Sequence, residues 1–434
     1  MTRIDGTMRG VHWATTSPEP AFVAKPVNRR TDYDIAVVGA GFCGLSIALH
    51  AATAGAAVVV VEAGTVGCGA SGRNGGIVVP HFPGAMTPDD AVMQLGRTKG
   101  EALAELVAGG PGFVFDHVRA LGIDCEAEQN GWLQPAHSPA SLKKVRRVYQ
   151  SWQARGVDVE WLDGADVAAL TGAQGYVGGW FRNTGGTVNP YALALGLARV
   201  AAARGADIRQ NAPVIGIRSE GAVRVLNTAQ GEIRARKVVI ATNAHTPALY
   251  PGLESSVIPV LLYHGFTRPM RDDERSAILP TRACFTDLRK SGGFARYNSE
   301  NRLIMGGAIF RPSDQRAWSE RHSRRRLTEL FPQLSDLQAE SFWTGWCALT
   351  NEALPAVQRL EKDVYSLIGF STRGVALAQT LGREMAAFLC ESRTEAELPV
   401  RVGGIRKIAL QPLKRFLGGF AFPIYQLRDS LGLT

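Results

Sequence analysis

The chain has 434 residues, 45% hydrophobic and 20% charged, the balance of a folded globular protein, and its length suggests two or three domains. The net charge is +9, but six basic residues and one acid between Leu398 and Thr434 account for much of it, so a broad nucleic-acid face is not indicated. None of the six cysteines has CxxC spacing, which excludes zinc ribbons and thioredoxin motifs, and no metal site is expected. Isolated thiols, the lack of an apolar signal in the first twenty residues and the absence of a membrane-length apolar run together suggest a cytoplasmic protein with no membrane span.

In chain order, residues 1–30 are polar and aperiodic and read as an arm laid on the surface. Tyr33 to Val38 is a short apolar run, the pattern of a buried parallel strand. Leu45 to Thr53 has helical character and ends at Ala54-Gly55, and Ala57 to Val61 is a second apolar strand. These three pieces form a βαβ unit. Residues 85–160 read as helical, and Tyr191–Arg204 is a further helix. Segments 206–217, 223–227 and 232–241 read as strands separated by glycine turns, and 257–310 alternates like antiparallel strands. A charged helix spans 315–333, with Arg321, Arg324, Arg325 and Arg326 as its solvated face. Val364–Ile368 is a last strand, and a glycine turn leads from it into a helix from Val375 to Leu389. Segment 408–427 mixes apolar and basic residues, but Pro412 and Pro423 interrupt any long membrane-surface helix.

The chemistry begins in the first βαβ unit. Gly39-x-Gly41-x-x-Gly44 follows a strand and opens a helix. The first glycine permits the tight turn, the second lets a pyrophosphate approach the backbone, and the third lets helix and strand pack closely. The helix N-terminus offers free N–H groups and a positive dipole end to phosphates. Glu62 closes the second strand, where a carboxylate can bond a ribose hydroxyl pair, and its charge would repel the 2′-phosphate of NADP. This spacing alone fits either NAD or FAD. The run Gly67-Cys-Gly-Ala-Ser-Gly-Arg-Asn-Gly-Gly76 then offers backbone amides and small side chains to a flat ligand.

With Tyr33–Glu62 and the GASGRNGG run at 69–76, the sequence resembles the D-amino-acid-oxidase-type FAD-dependent amine oxidoreductases, in particular the branch that includes gamma-glutamylputrescine oxidase. His12-Trp-Ala-Thr15 with Pro18, Val238 to Ala244, Trp343-Thr-Gly-Trp346 and Ile368 to Val375 extend the resemblance over residues 11–430. It implies an α/β fold, α+β overall, in which a Rossmann-like FAD-binding domain meets a discontinuous antiparallel-sheet substrate domain, as in glutathione reductase and D-amino-acid oxidase. The expected division is an arm at 1–30, an FAD domain from 31–85, 165–250 and 340–395, a substrate domain from 86–164 and 251–339, and a packed tail at 396–434.

The resemblance also implies a cofactor set. Gly39, Gly41, Phe42, Cys43 and Gly44 would hold the pyrophosphate, and Glu62 and Ala63 the adenosine ribose. Ala70, Ser71, Arg73, Asn74, Gly75 and Gly76 would run past the pyrophosphate and along the isoalloxazine ring. Val214 would touch adenine, Thr242 would lie on the strand that returns to the ADP end of the cofactor, Gly345 would belong to the closing flavin-domain segment, and Arg373, Gly374, Val375 and Ala376 would bring a helix start to the flavin pyrimidine ring, where a positive dipole end favours negative charge. Many relatives carry Gly-His-Gly where this chain has Thr372-Arg373-Gly374. The strand Leu303–Gly306 lacks the lysine that sarcosine-oxidase-like relatives hold over the flavin, so that route to rapid reaction with oxygen is not expected here.

The implied function is oxidation of the C–N bond of a small amine to an imine, which hydrolyses to an aldehyde or ketone, with oxygen or another acceptor taking the electrons. Arg373, Tyr297 and His81 are the candidate catalytic residues, and Tyr263, Phe266 and Phe294 are candidates for an aromatic wall. The alternatives are an amino-acid or hydroxy-acid dehydrogenase, with Arg373 or Arg296 clamping the carboxylate, and a flavin-bearing subunit without catalysis.

Overall fold

The computed structural model describes residues 6–24, 31–246, 249–289, 291–309, 314–334 and 336–411. Asp32–Val38 and Val58–Val61 pair in parallel, and all four valines of the second strand are buried. Strands buried on both faces need continuous apolar sequence, which is what both runs supply. Gly231–Ile240 adds in parallel to the first strand, Val364–Ile368 to that, and Asp207–Arg209 to Val58–Val61. With Ala356–Glu361, Val402–Gly403 and the antiparallel flap Val214–Glu220 and Val223–Thr228, they make a nine-stranded sheet among the described residues.

The helix Phe42–Thr53 packs against the closing helix Gly374–Leu389, and Ser46 Oγ donates to the Gln379 carbonyl at 2.6 Å. Helix Pro190–Ala203 lies beside it, capped by Asn189, whose side chain accepts from two helix N–H groups.

A second, eight-stranded sheet runs in the order Ala339–Leu349, Ile258–Pro269, Arg302–Ile309, Phe294–Tyr297, Cys284–Thr286, Trp132–Ala136, Gly178–Arg182, Glu160–Asp163. Every neighbouring pair in it is antiparallel except Cys284–Thr286 with Trp132–Ala136.

Three expectations change. Within 85–160 the helices Pro88–Leu95, Arg97–Ala120 and Pro139–Gln153 are interrupted by the central strand Trp132–Ala136, whose Pro135 argues against a strand when read locally. Gly178–Arg182 and Ala339–Leu349 pair in the second sheet rather than the first, because alternation along a strand does not say which sheet will receive it. The arm is not laid on the surface: Met8, Val11 and Trp13 are buried in a cluster with Ile304 and Trp343. The arm beyond residues 6–24 and the tail beyond Gln411 lie outside the described residues.

Gly44 shows how tightly the first unit closes, since a Cβ there would lie 2.0 Å from the Gly39 carbonyl oxygen. Gly44→Ala is therefore expected to destabilise the protein by about 3 kcal/mol or more. A denaturant midpoint equal to wild type would show that the strand and helix do not pack this closely.

Candidate active site

A cavity of about 930 Å³ runs from the glycine motif, between the two sheets, to the strands of the second sheet. Its size is at the upper end for ligand sites, as a dinucleotide together with a small substrate requires. At one end lie Gly39, Gly41, Phe42, Cys43, Glu62, Ala63, Val214 and Thr242. Glu62 is anchored there by the N–H groups of Ala40 at 2.8 Å and Gly64 at 2.9 Å. A Cβ on Gly41 would meet Ser71 Oγ at 2.8 Å, so the bare backbone forms part of a cradle that any side chain would fill. These residues fit the diphosphate and ribose of FAD.

Ala70–Arg73 forms a short helix, and the loop continues past Asn74, Gly75 and Gly76. Four successive carbonyls of this loop are tied to other parts of the chain. Trp343 Nε1 donates to Arg73 O at 2.9 Å, and Trp13 Nε1 to Asn74 O at 2.8 Å. Arg296 Nη1 donates to Gly76 O at 3.0 Å and Val188 O at 2.6 Å, with a longer contact of 3.5 Å to Gly75 O. Ser71 and Asn74, expected to bond a ligand, also hold the loop: Ser71 Oγ accepts from Phe42 N–H at 2.9 Å, and Asn74 Oδ1 accepts from Gly76 N–H at 2.8 Å. The Arg73 guanidinium is spent on the carbonyls of Cys68, Thr344 and Thr7, while the residue still lines the cavity.

The second sheet supplies the facing wall. Period-2 alternation turns Val260, Leu262 and His264 toward the cavity, opposite Cys347, Gly345 and Trp343 on one side and Gly306 on the other. Glycines and Ala308 keep this patch flat. Flatness suits an aromatic ring system lying between loop and sheet.

Of the expected cofactor residues, all but Gly44, Gly76 and Ala376 line the cavity. Arg373 lines it too, at the start of helix Gly374–Leu389. Its Nε donates to the carbonyls of His81 and Phe82, both at 3.2 Å, and Nη1 to Thr372 Oγ1 at 3.1 Å. Burial lowers its pKa to about 10, with only the nearby Cys347 thiol working the other way.

Two catalytic candidates are placed elsewhere. Tyr297 is buried in a separate cluster, its hydroxyl donating to Ile278 O at 3.0 Å, because the alternation that turns one face of its strand to the cavity turns Tyr297 away. The His81 ring lies behind the wall, where Nδ1 accepts from Trp152 Nε1 at 3.0 Å and Nε2 bonds Gly84 O at 3.2 Å. Burial, reinforced by the Arg373 charge, holds His81 neutral. Its contribution to the cavity is the carbonyl that holds Arg373. Arg296 is fully engaged with carbonyls and the Trp13 ring and does not reach the cavity as a carboxylate clamp. Of the aromatic-wall candidates only Phe294 lines the cavity, while Tyr263 bonds His322 Nδ1 at 2.6 Å on the other face and Phe266 stacks on His12.

Sequence reasoning missed His264, Cys347 and the pair Asp287 and Arg289, all cavity-lining. Asp287 is ion-paired with Arg289 and accepts from Tyr176 Oη at 3.1 Å. Burial works against its ionisation, but Arg289 and Arg326 outweigh it and keep its pKa low. A charged Asp-Leu-Arg inside an apolar strand pattern was the available signal for the pair. A lone histidine between Tyr and Gly offers none.

A βαβ dinucleotide cradle joined by one cavity to a flat antiparallel wall defines a flavoprotein oxidoreductase. Residues 34–388 match the family described as FAD dependent oxidoreductase, DAO, and the chain belongs to it. It is 28% identical over 418 residues to gamma-glutamylputrescine oxidoreductase of Escherichia coli K12, covering 94% of this chain and 95% of that protein. It is also 28% identical over 392 residues to glycine oxidase of Bacillus licheniformis, covering 85% and 96%. Among solved structures, glycine oxidase from Geobacillus kaustophilus superposes with a TM-score of 0.71 at 24% identity, over 85% of this chain and 96% of that one. FAD is the cofactor.

Glu62→Ala is expected to loosen FAD about tenfold to over a hundredfold, the loss of one charge-assisted bond. The dissociation constant from fluorescence titration checks this, and an unchanged value would remove Glu62 from the ribose.

Proposed function

We propose that the chain oxidises the C–N bond of a small amine to an imine, which hydrolyses to an aldehyde or ketone plus ammonia or a smaller amine, and that oxygen takes the electrons to give hydrogen peroxide. Bound FAD supplies the acceptor for a hydride from the carbon next to nitrogen. The observation that carries the reading is the substrate end of the cavity. Val260, Leu262, Phe294 and Ala308 line an apolar space there, and the one acid in that half among the described residues, Asp287, is committed to Arg289 and Tyr176. No carboxylate among the described residues of that end is left to hold an ammonium. An apolar surround lowers an amine's pKa, so the substrate binds with its lone pair free to stabilise the developing iminium.

Arg373 supports a finer statement. It is a half-buried cation at the cavity with no acid bonded to it among the described residues. Such a charge is satisfied by an anion, and a carboxylate on the substrate fits. The relatives point the same way by name: glycine oxidase, sarcosine oxidase subunit beta and D-amino acid dehydrogenase. We therefore favour an amine that also carries a carboxylate. The six free cysteines fit a reducing compartment, and we place the protein in the cytoplasm.

The direct test is anaerobic bleaching of the yellow holoprotein by amines, amino acids and hydroxy acids. Reduction by amines is expected, and reduction by hydroxy acids alone would overturn the reading. The rise of kcat/KM with pH is expected to follow the pKa of each amine in a series, whereas a limb fixed at one pH would reveal an enzyme base. Arg373→Ala is expected to slow flavin reduction at least tenfold, about 1.4 kcal/mol in the barrier, with little change in thermal midpoint. A loss confined to KM for carboxylated substrates would make it a substrate clamp, and wild-type kinetics would place it outside the reaction.

A further inference from the structure

His264 sits midway along the strand Ile258–Pro269, on the face that lines the cavity. The residue is 5% exposed, and its Nδ1 is buried with no hydrogen-bond partner among the described residues. Its surroundings are apolar or bare backbone. Trp343 and Phe294 stand at ring-centroid distances of 5.5 and 5.6 Å. Across the ladder it faces Gly306, where a Cβ would approach Nδ1 to 2.9 Å, so glycine at that position makes room for the imidazole. On the loop side its Cε1 would lie 3.7 Å from a Cβ at Gly75. His264 therefore stands at the border between the flavin loop and the substrate wall.

Nδ1 is closed off against Gly306, but the ring edge that lines the cavity also has no hydrogen-bond partner among the described residues, which leaves a ligand in the cavity as the partner for Nε2. Burial pushes its pKa down to about 3, so the ring is neutral at physiological pH and can accept a hydrogen bond without protonating what it binds. No charged group contributes to that shift.

We propose that His264 is a specificity-determining residue whose Nε2 accepts a hydrogen bond from the N–H of the substrate amine, the ring carrying its own proton on Nδ1. The proposal rests on the amine reading above. An amine that donates its N–H to a neutral imidazole keeps its lone pair and carries no charge. Binding transfers no proton. In the oxidation the carbon gives up a hydride, with both electrons of the C–H bond, to FAD, and the nitrogen lone pair becomes the second C–N bond of an iminium. A tertiary amine has no N–H to give and forfeits this contact. The site should therefore favour primary and secondary amines over N,N-dialkyl amines of similar shape.

The test uses the holoprotein and two pairs of probes, sarcosine with N,N-dimethylglycine and butylamine with N,N-dimethylbutylamine, in wild type, His264→Leu and His264→Asn. Wild type is expected to prefer the N–H member of each pair it accepts. In His264→Leu the KM for that member should rise at least about tenfold, with kcat within about threefold, and the preference over the tertiary amine should collapse. His264→Asn, which keeps an acceptor, should recover part of the preference. The FAD dissociation constant, from titration of apoprotein, should stay at the wild-type value in both variants. Unchanged KM values in His264→Leu would overturn the proposal, and so would a weakening of FAD binding of about tenfold, which would make His264 a cofactor contact. If no amine reduces the wild-type flavin, the amine reading fails and the proposal falls with it. Reduction of wild type by an N–H amine, with variants indistinguishable from it, defeats the proposal alone.

Discussion

The fastening of four consecutive carbonyls, from Arg73 to Gly76, governs the rest of the site. A glycine-rich loop has many backbone conformations, and ordering it costs about 1–2 kcal/mol per residue. Here the indoles of Trp13 and Trp343 and the guanidinium of Arg296 each take hold of carbonyls in the run. Each neutral bond returns about 0.5–1.5 kcal/mol, and those from a charged donor more. The three donors come from the N-terminal arm and from two different strands of the second sheet. The loop that lines the cavity is thus positioned by parts of the chain that belong to neither the glycine motif nor the first βαβ unit.

This arrangement explains why the arm is buried. Trp13 serves as hydrogen-bond donor to the loop, as the aromatic face under Arg296, and as an edge-on neighbour of Trp343. His12 stacks on Phe266 and accepts from Asn298 Nδ2 at 2.9 Å, which fixes the arm to the second sheet. Arm, loop and sheet therefore form one unit on one side of the cavity, and the cavity's shape depends on all three.

The charges follow a common pattern. Arg296 and Arg373 are both buried enough to be lowered to about 10, and both spend their bonds on carbonyls rather than acids. Glu62 at the ribose end is held by backbone amides, and Asp287 is neutralised by its own arginine. The result is a cavity with a carboxylate, Glu62, at the glycine-motif end and a cation, Arg373, near Cys347 of the second sheet. That polarity favours anionic groups at the Arg373 end and disfavours an ammonium there, as the proposed oxidation of a neutral amine requires.

Much of the glycine-motif end of the cavity was legible in the sequence because its requirements are local. Gly39, Gly41, Gly44 and Glu62 lie within one βαβ unit, and turn, close approach and helix start are dictated by residue type at fixed offsets. The helix from Gly374, with Arg373 before it, could be read for the same reason. The substrate half could not. Whether His264 or Tyr263 faces the cavity depends on strand register, and a shift of one residue exchanges them. Tyr297 and His81 look equally chemical as letters, but the second sheet buries one hydroxyl on Ile278 and the Trp152 indole holds the other ring behind the wall. Trp13 reads as part of a polar arm until the groove between loop and sheet exists to receive it. The sequence by itself determined the fold class and the cofactor, since the glycine motif and its βαβ unit rest on short-range backbone geometry. Which side chains of the second sheet line the cavity was decided only by the tertiary structure, because that depends on the pairing of strands far apart in the chain.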